Sequence, residues 1–335
     1  MIDNIVTIKD IALATNFSAN TVSRALRDMP DISEGTKQII RETAMRMGYR
    51  KNILASALRA SHSYNIGVIV PDIQNPVYGS FYKGIETVCR QHNYTISLFN
   101  SNESIEDEER AVNTMISHQV DGAILFPTDK SQQNISVMQG SGIPFISLAR
   151  YIKGENIRLV AGDDDRGGYI ACEYLLGKGF TEFIVISGPH TISSFEDRCQ
   201  GFARCLEEHG LNKHTAQFIQ IAPTWEEAYA LTKNRLGSAC RGKAIFALSD
   251  FMAMGAIKAL RELELQVPRD VAIMGYDNVM DSNIVSPSLT TVDIRAAELG
   301  QISASRLLEI INNPEKRHEP IRELLEPLLI VRESV

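Results

Sequence analysis

The sequence is poor in cysteine, and the few cysteines form no recognisable framework. The 335 residues include five, with no C-x-x-C pair: Cys89, Cys172, Cys199, Cys205 and Cys240. An odd, scattered set of this kind is typical of reduced thiols in a protein core. The pattern therefore argues against a disulfide scaffold and against a cysteine-based zinc site.

Long hydrophobic runs and an export signal are also missing. No apolar run approaches the roughly 18 residues that a membrane-spanning helix needs. The start, Met1-Ile2-Asp3-Asn4, lacks a basic region followed by an apolar one. Hydrophobic content of 44% and charged content of 22% are globular averages. We expect a soluble, cytoplasmic protein with more than one domain.

Signatures of catalysis are absent as well. The sequence has no G-x-S-x-G, H-E-x-x-H or Walker motif, no G-x-G-x-x-G after the first predicted strand, and seven dispersed histidines. The run Asp163-Asp164-Asp165 has the composition of a metal site, but consecutive acids point in different directions, which favours a solvated loop before a helix. We expect no enzyme activity, no metal and no cofactor.

Charge is unevenly distributed along the chain. The net charge is −7, yet residues 1–61 carry nine lysines and arginines against six acids, a balance of +3 that leaves −10 for the rest. A basic segment on an acidic body lets only that segment approach a polyanion.

Residues 7–48 read as three short helices. Ile8, Ile11 and Ala12 share one face at i, i+3, i+4 spacing, and Val22, Ala25 and Leu26 repeat the pattern. Between them Thr15-Asn16-Phe17-Ser18 predicts a tight turn with Ser18 as N-cap. A third helix should begin at Ser33 and end at Gly48.

From Asn65 onward, short apolar runs alternate with helical patterns, which indicates parallel sheets built from βαβ units. Eight runs are candidate strands, and a return segment lies near Leu289–Val292: Ile66–Val70, Thr95–Phe99, Ala123–Phe126, Pro144–Leu148, Phe183–Ile186, Phe218–Ile221, Ala244–Leu248 and Val271–Met274. Val160–Gly168 lacks an apolar strand partner. Two lobes with a ligand cleft between them therefore fit better than one open sheet.

The segment from Thr7 to Leu26, with its Thr21-Val22-Ser23-Arg24 core, resembles the helix-turn-helix of the lac-repressor family. The resemblance implies that Ala19, Asn20 and Arg24 read bases in the major groove and that short hydroxyls hold phosphates. The implied DNA-contacting residues of this segment are Thr7, Ser18, Ala19, Asn20, Thr21, Ser23, Arg24, Ser33 and Thr36. The plainer alternative is that Ser and Arg form a solvated face of an ordinary three-helix bundle.

Residues Tyr49–Arg59 resemble the hinge helix of the same family, which orders on the operator. The resemblance adds Asn52, Ala55 and Leu58 to the DNA-contacting residues, with Leu58 entering the minor groove. Leu58 could instead be a linker residue packed on the body. Lys51 stands where the family usually has Pro, which leaves the rigidity of the hinge open.

The resemblance continues through the body, in Ile66 to Asp72, Arg198-x-x-Gly201-Phe202 and Gly275-Tyr276-Asp277-Asn278. It implies a ligand site formed by Asp72, Pro76, Tyr78, Arg150, Ser194, Arg198, Ser249 and Asp277. An aromatic face, two arginines and an acid suit a sugar. Arg198 and Asp277 could instead form an ion pair across the lobes.

Three positions depart from the family pattern. Ala149 stands where an acid is often found, Ser249 where Asn is common and Ile294 where Gln is common. An unmodified hexose is therefore not assured, and two arginines leave room for a phosphorylated or acidic ligand.

These observations predict an N-terminal all-α helix-turn-helix domain plus an α/β two-lobed, periplasmic-binding-protein-like body with parallel sheets. The expected domains are residues 1–48, a hinge at 49–63 and a body at 64–335, with an N-lobe of about 64–161 and 295–325 and a C-lobe of about 162–292 and 326–335. We expect a homodimeric repressor that binds pseudo-palindromic double-stranded DNA and a sugar or sugar-derivative effector. The alternatives are a solute-binding protein for sugar uptake and a sugar-metabolising enzyme fused to a regulatory head.

Overall fold

The computed structural model describes residues 6–49, 62–153, 158–211 and 215–335. The chain divides into two compact units, Met1–Ser63 and Tyr64–Val335. We call the first unit the head and the second the body.

Three helices form the described part of the head: α1 (Ile8–Thr15), α2 (Ala19–Leu26) and α3 (Glu34–Arg46). Ser18 and Ser33 cap α2 and α3, since each hydroxyl accepts a hydrogen bond from the backbone N–H three residues later, at 3.0 and 3.4 Å. The turn between α1 and α2 has Asn16 at φ 57°. The three predicted helices and the cap at Ser18 are confirmed, and Ser33, predicted as the start of the third helix, is its N-cap.

One apolar core joins the three helices of the head. It is built from Ile11 of α1, Val22 and Ala25 of α2, and Ile40 and Ala44 of α3, all buried. These positions follow the i, i+3, i+4 spacing read from the sequence. The burial of short side chains at Ala25 and Ala44 keeps the helices close together.

Within its described residues, the body has two six-stranded sheets. The N-lobe sheet has the order β11-β5-β4-β3-β1-β2. Its strands are β1 (Asn65–Val70), β2 (Thr95–Asn100), β3 (Gly122–Leu125), β4 (Phe145–Leu148), β5 (Leu159–Gly162) and β11 (Arg322–Leu325). The helices that accompany it are α4 (Pro76–Gln91), α5 (Ile105–Ser117), α6 (Gln132–Ser141) and α11 (Ala296–Asn312).

The C-lobe sheet has the order β12-β10-β9-β8-β6-β7. Its strands are β6 (Phe183–Ser187), β7 (Ala216–Gln220), β8 (Ala244–Ala247), β9 (Ala272–Tyr276), β10 (Thr290–Asp293) and β12 (Leu328–Ile330). Its helices are α7 (Asp164–Gly177), α8 (Ser193–Glu208), α9 (Trp225–Ala230) and α10 (Asp250–Glu262). The strand pairs are parallel except β10 with β12, which are antiparallel.

Each of the eight predicted strands overlaps an observed strand, and the return segment is β10. The expectation that Val160–Gly168 has no strand partner is wrong, because β5 lies between β4 and β11, with Leu148 beside Val160 and Glu323 on its other side. Strands β11 and β12 were also not predicted. All three are three or four residues long, and two pair with segments far away in sequence, so a local window carries little signal for them.

Close helix packing in each lobe depends on glycine. A Cβ on Gly84 of α4 would lie 1.9 Å from the carbonyl oxygen of Ala297 in α11, and a Cβ on Gly201 of α8 would lie 1.8 Å from that of Asp165 in α7. Gly168 meets the backbone of α8 in the same way, at 2.0 Å from the Arg198 oxygen. Backbone atoms cannot yield as the end of a side chain can, so the helices would have to separate.

We therefore expect Gly201→Ala to lower the free energy of unfolding of the body by about 1–3 kcal/mol or more, because the added methyl overpacks the α7–α8 contact. Gly177→Ala, in α7, is the control, because a Cβ at that position would meet nothing within 4 Å. It should be neutral or stabilising by up to about 1 kcal/mol. Urea unfolding followed by circular dichroism measures both. If the two variants have equal free energies of unfolding, α7 and α8 can move apart at little energetic cost, which would contradict the prediction.

Candidate ligand cleft and candidate DNA-reading surface

The carboxyl ends of strands from both lobes meet at one small cavity of about 40 Å³. Phe126 and Arg150 follow β3 and β4, while Ser249, Asp277 and Ile294 follow β8, β9 and β10. The lining residues are Asn75, Val77, Tyr78, Phe81, Phe126, Ala149, Arg150, Ser194, Phe195, Arg198, Ser249, Asp277 and Ile294. This is where α/β sheets place ligands.

Six of the eight ligand-site residues implied by the resemblance are brought together here: Tyr78, Arg150, Ser194, Arg198, Ser249 and Asp277. The other two do not line the cavity. Asp72 accepts a hydrogen bond from the backbone N–H of Gln74 at 2.9 Å, and Pro76 is the first residue of α4. Both shape the loop that leads to Tyr78.

Arg198, on α8, is the most heavily contacted cation of the cleft. Its Nε donates to Asp164 Oδ1 at 2.9 Å and its Nη1 donates to the Leu248 carbonyl at 2.6 Å. The guanidinium carbon lies 3.8 Å from the centre of the Tyr276 ring. Tyr276 in turn donates its hydroxyl to Asp164 at 2.8 Å. The guanidinium is therefore buried and held in one orientation.

Asp277 lies next to this cluster and is less fully engaged. Its Oδ1 is 3.5 Å from Arg198 Nη1, and the residue has φ 110°, outside the ordinary range for a side-chain-bearing residue. Burial raises the pKa of its carboxyl well above the ordinary value, and Arg198 opposes that rise. The ion pair considered from the sequence exists, but the expectation that it spans the lobes is wrong, since both residues belong to the C-lobe.

Asp250, just after Ser249, holds the loop that carries Asp277. It accepts hydrogen bonds from the Val279 backbone N–H at 2.9 Å and from the Thr291 hydroxyl at 2.6 Å, and a third from the Ser282 hydroxyl. Burial raises its pKa to about 6, against the effect of these bonds. Both carboxylate oxygens of Asp250 accept hydrogen bonds from this part of the C-lobe, so the residue positions the loop that carries Asp277. Ser249 itself caps α10, accepting from the Met252 N–H at 3.2 Å.

The N-lobe side of the cavity is built around Arg150. Its Nη1 and Nη2 donate to the two carboxylate oxygens of Glu103 at 3.0 and 2.8 Å, and Nη2 also donates to the Tyr78 hydroxyl at 3.0 Å. Glu103 was not predicted, because it lies in a loop after β2, far from Arg150 in sequence. The one signal in the sequence was Ala149, which stands where the family often has an acid. Without that acid, a partner for Arg150 had to come from elsewhere in the chain.

Three contacts cross from the N-lobe connection after β4 to α8 of the C-lobe. The Tyr151 N–H donates to Ser193 Oγ at 2.9 Å, the Tyr151 hydroxyl donates to Asp197 at 3.0 Å, and Lys153 lies 2.6 Å from Glu196. Burial raises the pKa of Asp197 to about 6. The two walls of the cavity are thus tied together at its edge.

The three consecutive acids at the start of α7 have separate tasks. Asp163 caps the helix by accepting the Arg166 N–H at 3.0 Å, Asp164 pairs with Arg198, and Asp165 pairs with Arg204. Among the described residues, no group of three or more His, Cys, Asp or Glu side chains is arranged to hold a metal ion. In the same part of the chain, no helix is long and apolar enough to cross a membrane.

The outer face of α2 is the candidate DNA-reading surface of the head. Ala19 and Asn20 are exposed, and Arg24 is partly exposed. Arg24 Nη2 lies 2.6 Å from Asp31 Oδ2, and its Nε donates to the same oxygen at 2.9 Å. Asn20 and Arg24, four residues apart, therefore lie on one face of a capped helix, and Ala19 is the first residue of that helix.

The hydroxyl residues expected at phosphates lie at helix starts and are partly engaged. Thr7 donates to Asp10 Oδ2 at 2.7 Å, and the Ser18–Thr21 and Ser33–Thr36 hydroxyl pairs are 2.8 and 2.9 Å apart. Ser23 is partly buried on α2. The hinge positions Lys51, Asn52, Ala55 and Leu58 lie outside the described residues.

Both units of the chain are similar to known proteins. The family pattern described as bacterial regulatory proteins, lacI family, matches residues 7–52, and the pattern described as periplasmic binding protein-like domain matches residues 172–335. The chain is 31% identical over 329 residues to the ribose operon repressor of Halalkalibacterium halodurans, which covers 98% of this chain and 96% of that protein.

Two solved structures are also similar. The lac repressor dimer bound to operator and the anti-inducer ONPF matches with a TM-score of 0.86 and 24% identity over 99% of both chains. A lacI family regulator from Enterococcus faecium with bound ribose matches with a TM-score of 0.73 and 30% identity, covering 81% of this chain and 98% of that one. The predicted fold is confirmed, and the chain belongs to the lacI family of bacterial regulatory proteins.

Proposed function

We propose that this protein is a cytoplasmic transcription repressor whose operator affinity is set by a small sugar or sugar derivative in the cleft. Residues 1–48 read DNA, 49–63 form the hinge, and 64–335 bind the effector and a second copy of the chain. The N-lobe comprises about 64–161 and 295–325, and the C-lobe about 162–292 and 326–335. The observation that carries the proposal is α2, a capped helix with Asn20 and Arg24 on its outer face.

That helix separates this function from the alternatives. A solute-binding protein for sugar uptake shares the two-lobed body but has no use for a base-reading helix. An enzyme would need reactive groups in the cleft, whereas Asp164, Asp250 and Arg198 are each occupied in holding the structure. We therefore propose no enzyme activity.

Recognition of DNA by α2 follows from its surface chemistry. A short side chain at Ala19 lets the backbone approach the bases, Asn20 matches the donor and acceptor of adenine, and Arg24 matches the two acceptors of guanine. The hydroxyls of Thr7, Ser18, Thr21, Ser23, Ser33 and Thr36 would contact phosphates and fix the register. Asn52, Ala55 and Leu58 would extend the contact through the hinge.

We predict that Arg24→Ala weakens binding to the cognate operator by about 10- to 100-fold, since it removes one bidentate base contact. Fluorescence anisotropy with an operator duplex and a scrambled duplex measures the loss and shows that specificity falls. Asp31→Ala is the matched control, because it breaks the same ion pair but keeps the arginine. An equal loss in both variants would assign Arg24 a structural role and contradict base reading.

Effector binding is supported by the placement of donors and acceptors on both walls of the cavity. Tyr78 and Arg150 come from the N-lobe, and Ser194, Arg198, Ser249 and Asp277 from the C-lobe, with Asp72 and Pro76 shaping the loop before Tyr78. The cavity of about 40 Å³ is below the usual range of ligand sites, so a monosaccharide would enter only when the two walls move apart. The bound ribose in the Enterococcus faecium regulator supports the same ligand class.

Control of DNA binding would work by a population shift. A ligand that engages Tyr78 of the N-lobe and Asp277 of the C-lobe at once favours one setting of the two lobes over another. That setting would alter the spacing of the two hinges of a dimer, and so the pairing of their helices on a pseudo-palindromic operator.

We predict that Asp277→Ala weakens effector affinity by about 10- to 100-fold, because a buried carboxyl group no longer accepts the ligand's hydroxyls. Thermal-shift screening of neutral sugars, with D-ribose first, identifies the ligand, and calorimetry gives the affinity. Operator binding without effector should be unchanged. Glu207→Ala, an exposed carboxylate on α8, should alter neither quantity. Full ligand affinity in Asp277→Ala would rule out this site.

Pairing of two bodies is supported by an exposed apolar pair next to the Asp277 loop. Met280 is 80% exposed and Ile284 is 69% exposed, and two large apolar side chains exposed on one short segment favour an interaction site there. We propose that a second copy of the chain covers this segment.

The double variant Met280→Glu with Ile284→Glu should therefore sediment as a monomer at concentrations where the native protein is a dimer. Leu13→Glu, equally exposed at 80% but in the head, should leave the native assembly intact. A dimer in the double variant would show that the bodies pair elsewhere.

A further inference from the structure

The cleft contains two cations, and each already has a carboxylate partner. Among the described lining residues, the charged side chains are Arg150, Arg198 and Asp277. Arg198 is held by Asp164 and lies beside Asp277, while Arg150 is held by Glu103. Each guanidinium group is thus matched by one carboxylate partner, and the buried Asp277 adds a further carboxyl group, so the immediate charge of the site is not positive.

Glu103 contacts Arg150 with both carboxylate oxygens, at 2.8 and 3.0 Å. This fork-to-fork geometry uses the same two donors that a phosphate or a ligand carboxylate would require. Arg150 is 6% exposed and Glu103 is 27% exposed, so the pair is largely shielded from water. An anionic ligand would have to displace Glu103 and leave a carboxylate without its partner.

The loop around Glu103 limits its freedom to move away. Asn102 and Glu103 have φ 52° and 53°, a region that few side-chain-bearing residues adopt. Asn102 accepts from Asn100 Nδ2 at 2.7 Å and donates to Asp107 Oδ2 at 3.1 Å. The Glu103 N–H donates to the Pro71 carbonyl at 3.1 Å. The carboxylate is therefore presented by a hydrogen-bonded loop.

Tyr78 completes an arrangement suited to neutral hydroxyls. Its hydroxyl accepts from Arg150 Nη2 at 3.0 Å, which leaves its own proton to donate. Burial raises the pKa of this phenol, so it stays protonated. Asp277 supplies an acceptor on the opposite wall. The cavity thus offers Tyr78 as a donor and Asp277 as an acceptor, while both of its arginines already have a carboxylate partner.

We infer that Glu103 is a specificity-determining residue: by occupying Arg150 it restricts the effector to neutral, hydroxyl-rich ligands and excludes phosphorylated or acidic ones. The inference rests on the proposed function and deepens it. Glu103 acts through Arg150, so it is a positioning residue. It follows that the phosphorylated or acidic effector left open by the two arginines is disfavoured by charge.

The test uses the full-length protein and the variant Glu103→Gln, which keeps the shape of the side chain and removes its charge. Inorganic phosphate is the first probe, followed by ribose 5-phosphate and D-ribose, with thermal shift and calorimetry as readouts. Native protein should show no specific stabilisation by phosphate. Glu103→Gln should gain at least about tenfold in affinity for phosphate and ribose 5-phosphate, while its affinity for a neutral ligand changes by less than about threefold.

Two further variants sharpen the result. Glu103→Asp restores the charge and should return discrimination toward the native level. Glu106→Gln removes an exposed carboxylate three residues away that accepts from Ser104, and should behave as native protein. A gain of equal size in Glu106→Gln would mean that phosphate responds to net charge alone and would overturn the inference.

The remaining outcomes are distinct. The inference is wrong if native protein binds ribose 5-phosphate more tightly than any neutral sugar. It is also wrong if Glu103→Gln gains no affinity for phosphate. In either case Glu103 does not decide whether the effector is neutral or anionic, and the proposed effector control survives. If no sugar binds native protein but Glu103→Gln gains phosphate binding, the sugar effector is wrong and the role of Glu103 stands.

Discussion

The organisation of the cleft depends on the burial of one guanidinium group, that of Arg198. Removing a cation from water costs several kcal/mol, and that cost is offset only where partners satisfy the group in a fixed geometry. Asp164 and the Leu248 carbonyl accept hydrogen bonds from it, and the centre of the Tyr276 ring lies 3.8 Å from its guanidinium carbon. These partners come from the start of α7 and the ends of β8 and β9. Any displacement of those elements would leave a buried charge without its partners.

The fixed geometry around Arg198 also depends on close packing of the two helices behind the site, α7 and α8. Gly167 leaves room for the Tyr276 hydroxyl, since a Cβ there would lie 2.0 Å from it. Gly168 and Gly201 let α7 and α8 approach until their backbones touch, which brings Asp164 to Arg198. The glycines have no direct part in ligand contact, yet they determine the distance between the charged groups. The C-lobe wall is thus assembled before any ligand arrives, whereas the N-lobe wall depends on one loop carboxylate, Glu103.

The head achieves its order by different means. It has a small core around Ile11, Val22 and Ile40, so interactions between residues close in sequence contribute a large share of what determines its structure. Serine caps at Ser18 and Ser33 satisfy backbone donors at the helix starts and fix where each helix begins. This local definition places Asn20 and Arg24 on one outer face of α2. A small, self-contained unit of this kind can present a reading surface without support from a large core.

Local signals in the sequence are enough to predict the three helices of the head with the cap at Ser18, eight of the strands, and the alternation of strand and helix that indicates parallel sheets. The resemblance to the lac-repressor family also pointed to Tyr78, Arg150, Arg198 and Asp277, which the structure brings together at one cavity. The folded chain alone shows the strands β5, β11 and β12 and the pairing of Arg150 with Glu103. The physical reason is that these features are contacts between segments far apart in the chain, made by residues whose local sequence carries no period and no cap.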